Sequence, residues 1–200
     1  AFLTTRVTKS TEQDMQKLHH LIRYLHQSHE SGHRGFRITP GDGPIQTVVY
    51  CDASYGINAD GKSQSGVVVG IGGCGFIDQY SGKQPITAKS SSEAELLCTS
   101  NETNRGIRTK NFLEGQNYPP LPVLLNQDNM STISMLIKGK STSIKTKHIS
   151  IRNFWLKEQQ DLGIVTIKYV PTELMGAANI LTKPVVGKQF VQERKMLCNW

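Results

Sequence analysis

The chain has no stretch approaching the roughly 18 consecutive apolar residues that a membrane-spanning helix needs. Its first residues, AFLTTRVTKSTEQD, lack the charged, apolar, small-residue order of a secretory signal. No membrane association is expected, and a soluble globular protein is. The four cysteines, Cys51, Cys74, Cys98 and Cys198, are scattered and form no CxxC pair. That suggests neither a zinc knuckle nor a disulfide framework and predicts reduced, buried or idle thiols. The glycosylation patterns at Asn101 and Asn129 are accordingly read as chance. Acidic residues are also in short supply: 16 Asp and Glu stand against 23 Lys and Arg, for a formal charge of +7.

That excess favours a polyanionic partner, because each phosphate neutralised by Lys or Arg releases counterions. It is concentrated in one place. From Lys138 to Lys157 the charged residues are Lys138, Lys140, Lys145, Lys147, Arg152 and Lys157, with no acid among them. Such a run can be no more than a solvated basic face, but its one-sidedness points toward nucleic acid. Two hundred residues, 37% of them hydrophobic, suffice for one domain with a core and an appended element. An opening Ala is expected of a piece cut from a longer chain.

Periodicity sets out the elements. Residues 10–27, STEQDMQKLHHLIRYLHQ, pair Ser10 with Gln13 at capping-box spacing and carry Met15, Leu18, Ile22 and Leu25 on one stripe, which predicts an amphipathic helix. SHESGHRGFRITPGDGP then reads as a linker, and the main domain is expected from about residue 45. IQTVVYCDAS, GVVVGIGG and CGFIDQY are three strands in meander order. SEAELLCTSNETNRGIRTKNFLE reads as a long helix, LPVLLNQD as a strand, and MSTISMLIKG and HISIRNFWLKEQQDLG as helices ended by Gly139 and Gly163. IVTIKYVP is a fifth strand, and GAANILTKP and VGKQFVQERKML are helical. This order is α/β with a mixed sheet. Phe154 and Trp155 are expected in the core.

Gly70-Ile-Gly-Gly-Cys-Gly75 matches GxGxxG, but a phosphate-binding version must open a helix, and the residues after it read as a strand. A hairpin turn or bulge is expected there. Three acidic residues carry more. Asp52 interrupts an apolar strand, where an unpaired buried carboxylate is costly. Asp128 ends the fourth strand, and if strands one and four are parallel neighbours the two carboxylates share a sheet edge. Glu95, in the first turn of the intervening helix, can face the same spot. Each has an ordinary reading: Asp52 as a turn residue, Asp128 as the N-cap of the helix at Met130, and Glu93 or Glu95 as a helix-dipole charge. Together they repel unless divalent cations neutralise them, and oxygen-only ligands select Mg²⁺ or Mn²⁺.

YCDAS, SSSEAELL, NQDNMSTISML, TKHISIRNFWLKE, YVPTELMGAANILTKP and QFVQERKML together resemble the ribonuclease H region of a Ty1/copia-type retrotransposon polyprotein, the C-terminal part of its reverse transcriptase. The resemblance runs from about Val48 to Leu197, and KQP at 83–85, TKHI at 146–149 and ILTKP at 180–184 are specific to that group. It implies a ribonuclease H-like α/β fold, a five-stranded mixed sheet flanked by helices, plus an N-terminal helix. Residues 1–45 would be helix and linker from the reverse transcriptase connection, and 46–200 the ribonuclease H domain.

Carried over by position, the resemblance assigns metal-binding and catalytic roles to Asp52, Glu95 and Asp128, with Glu93 the alternative to Glu95 if the register slips. The family's fourth carboxylate falls on Asn179. The implied activity is cleavage of the RNA strand of RNA/DNA hybrids with two Mg²⁺ ions about 4 Å apart, Mn²⁺ being able to substitute. Asn179 keeps a coordinating oxygen but loses the charge, which implies weakened cleavage with hybrid binding kept. It is either an Asp replaced to trap uncut substrate or a natural departure. Implied partners are the hybrid and an upstream reverse transcriptase domain, and the implied setting is cytoplasmic virus-like particles, with the nucleus an alternative. Ser54, Asn101, Glu102, Lys145, Lys147 and Arg152 are candidates for the hybrid. Two other classes compete: a non-cleaving binding module on the same fold, favoured by Asn179, and an integrase or transposase core, which would need no Glu95.

Overall fold

The computed structural model describes residues 3–32, 35–138 and 147–199. Its contacts divide the chain into two units, residues 1–35 and 36–200. The first holds a short 3-10 turn, Leu3–Arg6, and helix α1, Glu12–Glu30. The capping box is present one residue later than the sequence spacing predicts. Thr11, not Ser10, is the N-cap, accepting from Asp14 N, while Asp14 Oδ2 takes Thr11 N at 3.0 Å and Arg6 Nε at 3.2 Å. Asp14 is a better partner than Gln13 because it also answers Arg6. Met15, Leu18, Ile22 and Leu25 form the expected stripe and are exposed.

The second unit is built on a five-stranded sheet. Strands β1 (Thr47–Ser54), β2 (Gln64–Ile71) and β3 (Gly75–Lys83) form the meander, and helix α2 (Ser91–Gly115) carries the chain to β4 (Val123–Gln127). Helices α3 (Met130–Lys138) and α4 (Lys147–Asp161) lead to β5 (Val165–Tyr169). The sheet order is β3-β2-β1-β4-β5, with β1–β2 and β2–β3 antiparallel and β1–β4 and β4–β5 parallel. The β2–β3 connection holds the glycine string. Gly73 and Gly75 have φ of +74° and +124°, and the register slips between Val69 and Gly70, so those glycines serve a turn and a bulge together.

Side-chain alternation along the strands fills both faces. On one, Val49, Cys51, Val67, Val69 and Leu125 pack with Ala94, Leu97 and Cys98 of α2. On the other, Val68 packs with Ala177, Ala178 and Leu197, joined by Tyr50 and Phe76. Ala177 and Ala178 come from helix α5 (Gly176–Asn179), and Leu197 from α6 (Gly187–Cys198). The helix expected over GAANILTKP is therefore only four residues long, and residues 180–183 turn away. Pro184 biases the preceding residue out of helical geometry, and the Thr182 hydroxyl is taken up elsewhere. Leu96, Leu136 and Leu156 form a third cluster, with Trp155 half-buried against it; Phe154, expected in the core, is 53% exposed. All four cysteines are free thiols. The strip expected to be a linker is hydrogen-bonded to the main unit through Arg37 N to Cys198 O and Thr39 N to Cys74 O, both 2.9 Å.

Candidate metal centre

The parallel register Val48↔Leu124, Val49↔Leu125, Tyr50↔Asn126 sets the C-terminal ends of β1 and β4 side by side. Asp52 lies near the end of β1, and Asp128 directly follows β4. Helix α2 crosses the same sheet, and its first turns bring Glu95 to the β1 end, where Glu95 Oε1 accepts Ala53 N at 3.2 Å. One carboxylate oxygen from each of Asp52, Glu95 and Asp128 lies within 4.8 Å of the others. Asp52 and Glu95 are buried and Asp128 is half-buried. Glu93 stands apart as a capping residue, with its Oε2 on Lys89 N at 2.8 Å and its own N–H on the Ser90 hydroxyl. The capping role considered for Asp128 belongs instead to Asn129, whose Oδ1 accepts Ser131 N and Thr132 N at 3.0 and 3.1 Å. Asp128 is thereby left to face the cluster.

Neighbours hold these carboxylates in place. Fully buried Gln127 gives Nε2 to Glu95 Oε2 at 3.4 Å and to Thr99 Oγ1 at 3.2 Å, while its Oε1 accepts Asp128 N at 2.8 Å. Thr172 donates its hydroxyl to Asp128 Oδ2 at 2.8 Å. Thr182 donates to Asp52 Oδ2 and also to Asn179 O at 2.9 Å. Sequence reasoning missed all three positioning residues. A periodicity marks out none of them, although Thr182 lies inside the quoted ILTKP.

Burial, followed by the Asp52 charge, pushes Glu95 well above the ordinary carboxylate range, with the bonds from Ala53 and Gln127 opposing. Burial raises Asp52 as well. The Thr182 hydroxyl and Lys183 pull it back, and the Asp128 charge adds to the rise. Such a set holds protons tightly when bare and gives them up to a divalent cation. Asn179 ends α5 at 4% exposure. Its Nδ2 makes a long bond to Thr172 O, 3.4 Å, and its Oδ1 is a buried acceptor with no hydrogen-bond donor. Thr172 and Thr182 therefore link Asn179 to Asp128 and Asp52 respectively. Oxygen-only donors, repelling charges and a buried, unused amide oxygen fit a hard divalent cation.

The hybrid candidates are less tightly grouped. Ser54 is the last residue of β1 and half-buried, and Asn101 is exposed on α2. Glu102, also on α2, is engaged by Arg105 Nε at 2.7 Å, and Arg105 in turn reaches Asp78 at 3.0 Å. Lys145 lies outside the described residues. Lys147 and Arg152 fall in α4, but their side chains lie outside the described set.

The sheet order and its flanking helices form a ribonuclease H-like fold. A ribonuclease H1 isolated from compost by a metagenomic approach superposes with a TM-score of 0.51 at 15% identity, over 69% of this chain and 93% of that one. The protease-reverse transcriptase of prototype foamy virus gives 0.51 at 18% identity, over 74% of this chain and 22% of that one. No protein-family profile matches the chain. In sequence it is similar to the Ty1-ER2 and Ty1-MR2 Gag-Pol polyproteins of Saccharomyces cerevisiae, 24% identical to each over 197 residues, 98% of this chain. The chain spans about a tenth, 11%, of the length of the polyproteins it matches.

Proposed function

We propose that this chain is a divalent-cation-dependent endonuclease that cuts the RNA strand of RNA/DNA hybrids during retrotransposon reverse transcription. The observation that carries the reading is the Asp52–Glu95–Asp128 cluster, two of its carboxylates buried, at the C-terminal edge of a ribonuclease H-like sheet. The likeness to Ty1 Gag-Pol polyproteins supports the setting: one segment of a longer chain that includes a reverse transcriptase, acting in cytoplasmic virus-like particles. Asp52, Glu95 and Asp128 would hold the Mg²⁺ or Mn²⁺ ions. The chemistry such ions supply when bound is activation of the attacking water and stabilisation of the departing 3′ oxygen. The chain's own part is positioning: Gln127, Thr172 and Thr182 fix the carboxylate rotamers, and burial keeps competing water out. Asn179 offers a neutral oxygen where a fourth carboxylate would serve, and this weakens cleavage.

For the hybrid, Ser54, Asn101 and the cations Lys145, Lys147 and Arg152 are proposed as contacts to sugar and phosphate, which report shape rather than sequence. Glu102 would serve only by sharing itself with Arg105. A second reading is favoured by Asn179 alone: a binding module that grips hybrids without cutting them. One assay separates the two. The chain and its Asn179→Asp variant are given a labelled hybrid with Mg²⁺ or Mn²⁺. Slow cleavage by the parent, accelerated by Asn179→Asp and abolished by Asp52→Asn, is expected. A folded Asn179→Asp protein that binds hybrid and never cuts it would overturn the nuclease reading in favour of the module.

A further inference from the structure

The KQP string at 83–85 lies outside the carboxylate cluster, yet its middle residue is a buried amide that touches the elements carrying Glu95. Gln84 directly follows β3, and its side chain is 3% exposed. Its backbone N–H donates to Ser63 O at 2.9 Å. Its Nε2 donates to Ser65 Oγ at 3.0 Å and to Ala94 O at 2.9 Å. A carbonyl can only accept, so the bond to Ala94 fixes which end of the amide is nitrogen. The other end, Oε1, is buried with no hydrogen-bond donor.

Both acceptors bear on Glu95. Ala94 immediately precedes it in α2. Ser65 is the cross-strand partner of Ala53, and Ala53 N is the donor that Glu95 Oε1 accepts at 3.2 Å. Gln84 therefore grips the helix turn that carries Glu95 together with the strand pair that carries its backbone donor. A second tie closes the same joint one turn further along α2, where Cys98 Sγ donates to Asp52 O at 3.2 Å. A thiol is a weak donor, so the amide is the stronger of these two ties.

Stability alone does not favour glutamine at this position. Leaving Oε1 buried and unpaired offsets part of what the two Nε2 bonds contribute, and an apolar side chain of similar length facing an apolar residue 65 would avoid that cost. An apolar pair would lose direction, because burial of apolar surface is non-directional. Two hydrogen bonds from one nitrogen set the helix turn against the strand at a fixed distance, and a cation ligand needs its backbone held that closely. We propose that Gln84 is a positioning residue for Glu95, clamping the first turns of α2 to β2 so that the Glu95 carboxylate is held at the cluster before a cation arrives. The inference rests on the reading of Asp52, Glu95 and Asp128 as cation ligands and extends it to a residue in another loop.

The test follows Mn²⁺ binding to the metal-free chain by loss of the free-ion electron paramagnetic resonance signal, alongside thermal melts in EDTA and the Mg²⁺ dependence of hybrid cleavage. Gln84→Met combined with Ser65→Ala replaces both side-chain partners by apolar groups, so it should melt close to the parent. It should bind Mn²⁺ about tenfold more weakly and need about tenfold more Mg²⁺ for half-maximal cleavage, with kcat recovered at saturating Mg²⁺. Gln84→Met alone should lose as much Mn²⁺ affinity as the pair, and Ser65→Ala alone should lose less, since Nε2 keeps Ala94 O. A folded pair variant that binds Mn²⁺ like the parent overturns the positioning role and leaves the metal centre standing, and so does a lower melting temperature with unchanged Mn²⁺ affinity. No Mn²⁺ bound by the parent overturns both. If the parent binds Mn²⁺ without cutting hybrid, the nuclease reading falls and the Mn²⁺ comparison still decides the role of Gln84.

Discussion

The hydroxyl of Thr182 donates to Asp52 Oδ2, joining a turn near the end of the chain to the first strand across 130 residues of sequence. The bond selects one rotamer of a buried carboxylate and favours its charged form, as its lowering effect on Asp52 shows. Thr182→Val keeps the branched shape and removes the donor. Partners that orient a metal ligand are typically worth 10–100-fold in metal affinity or activity. The Mg²⁺ concentration for half-maximal hybrid cleavage should rise by about that factor, with much of the rate recovered at saturating Mg²⁺. An unchanged Mg²⁺ dependence would mean that Asp52 is oriented by something else.

Asp52→Asn should separate function from stability. Three carboxylates within 4.8 Å repel one another when no cation is bound, so removing one charge relieves strain in the metal-free fold. In EDTA the variant should be more stable than the parent, by on the order of 1–3 kcal/mol at an effective dielectric near 20. It should also lose the rise in melting temperature that Mg²⁺ gives the parent. Melts with EDTA and with Mg²⁺ check both halves, and a metal-free variant less stable than the parent would argue that Asp52 is held by its hydrogen bonds against no net repulsion.

The pattern of acids was the part of the site open to sequence reasoning, and the reason is geometric. A β-strand, a long crossover helix and a second strand fix where the ends of β1 and β4 must meet, so Asp52 and Asp128 could be paired from element order, and Glu95 followed from its place in the first turns of α2. Thr172, Thr182 and Gln127 could not, because each acts through a bond to a partner in another element, and hydroxyl and amide residues carry no period. The length of α5 was hidden for a related reason. Ala177, Ala178 and Ile180 look helical, and only the pull of Asp52 on Thr182 and the proline at 184 end the helix. Phe154 was misjudged because the apolar stripe of α4 is interrupted, leaving the ring on the outer side.

Protonation of the cluster gives a pH signature with a definite sign. Glu95 is raised well above its ordinary value near 4.5, and Asp52 is raised above 3.8. The folded state therefore binds protons more tightly than the unfolded state. The stability these groups contribute is fully present below their unfolded values and is lost as pH rises through their folded ones. Glu95→Gln mimics the neutral acid at every pH. In EDTA the parent should lose stability relative to Glu95→Gln as pH increases above about 4.5, and Mg²⁺ should reverse the order at neutral pH and above. Parallel melting curves for the two proteins across pH 4–8 would show that Glu95 titrates in the folded protein as it does unfolded, with no upward shift.

Gly66 pairs with Asp52 in the β1–β2 register and sits directly beneath the turn that carries Thr182. A Cβ at that position would lie 2.5 Å from Thr182 Cγ2, 2.8 Å from Ala178 O and 3.0 Å from Leu181 Cβ. Two of the three are on backbone or Cβ atoms, so the strain cannot be relieved by one flexible side chain and the segment 178–182 must lift from the sheet. Overpacking of this kind costs about 1–3 kcal/mol. Lifting the turn also withdraws the Thr182 hydroxyl from Asp52 and moves Asn179 with it. Gly66→Ala should therefore lower hybrid cleavage more than Thr182→Val does, at a stability loss within that range. A Gly66→Ala protein that melts lower but cleaves like the parent would show that the close approach of the turn to β2 serves packing alone and leaves the ordering of Asp52 untouched.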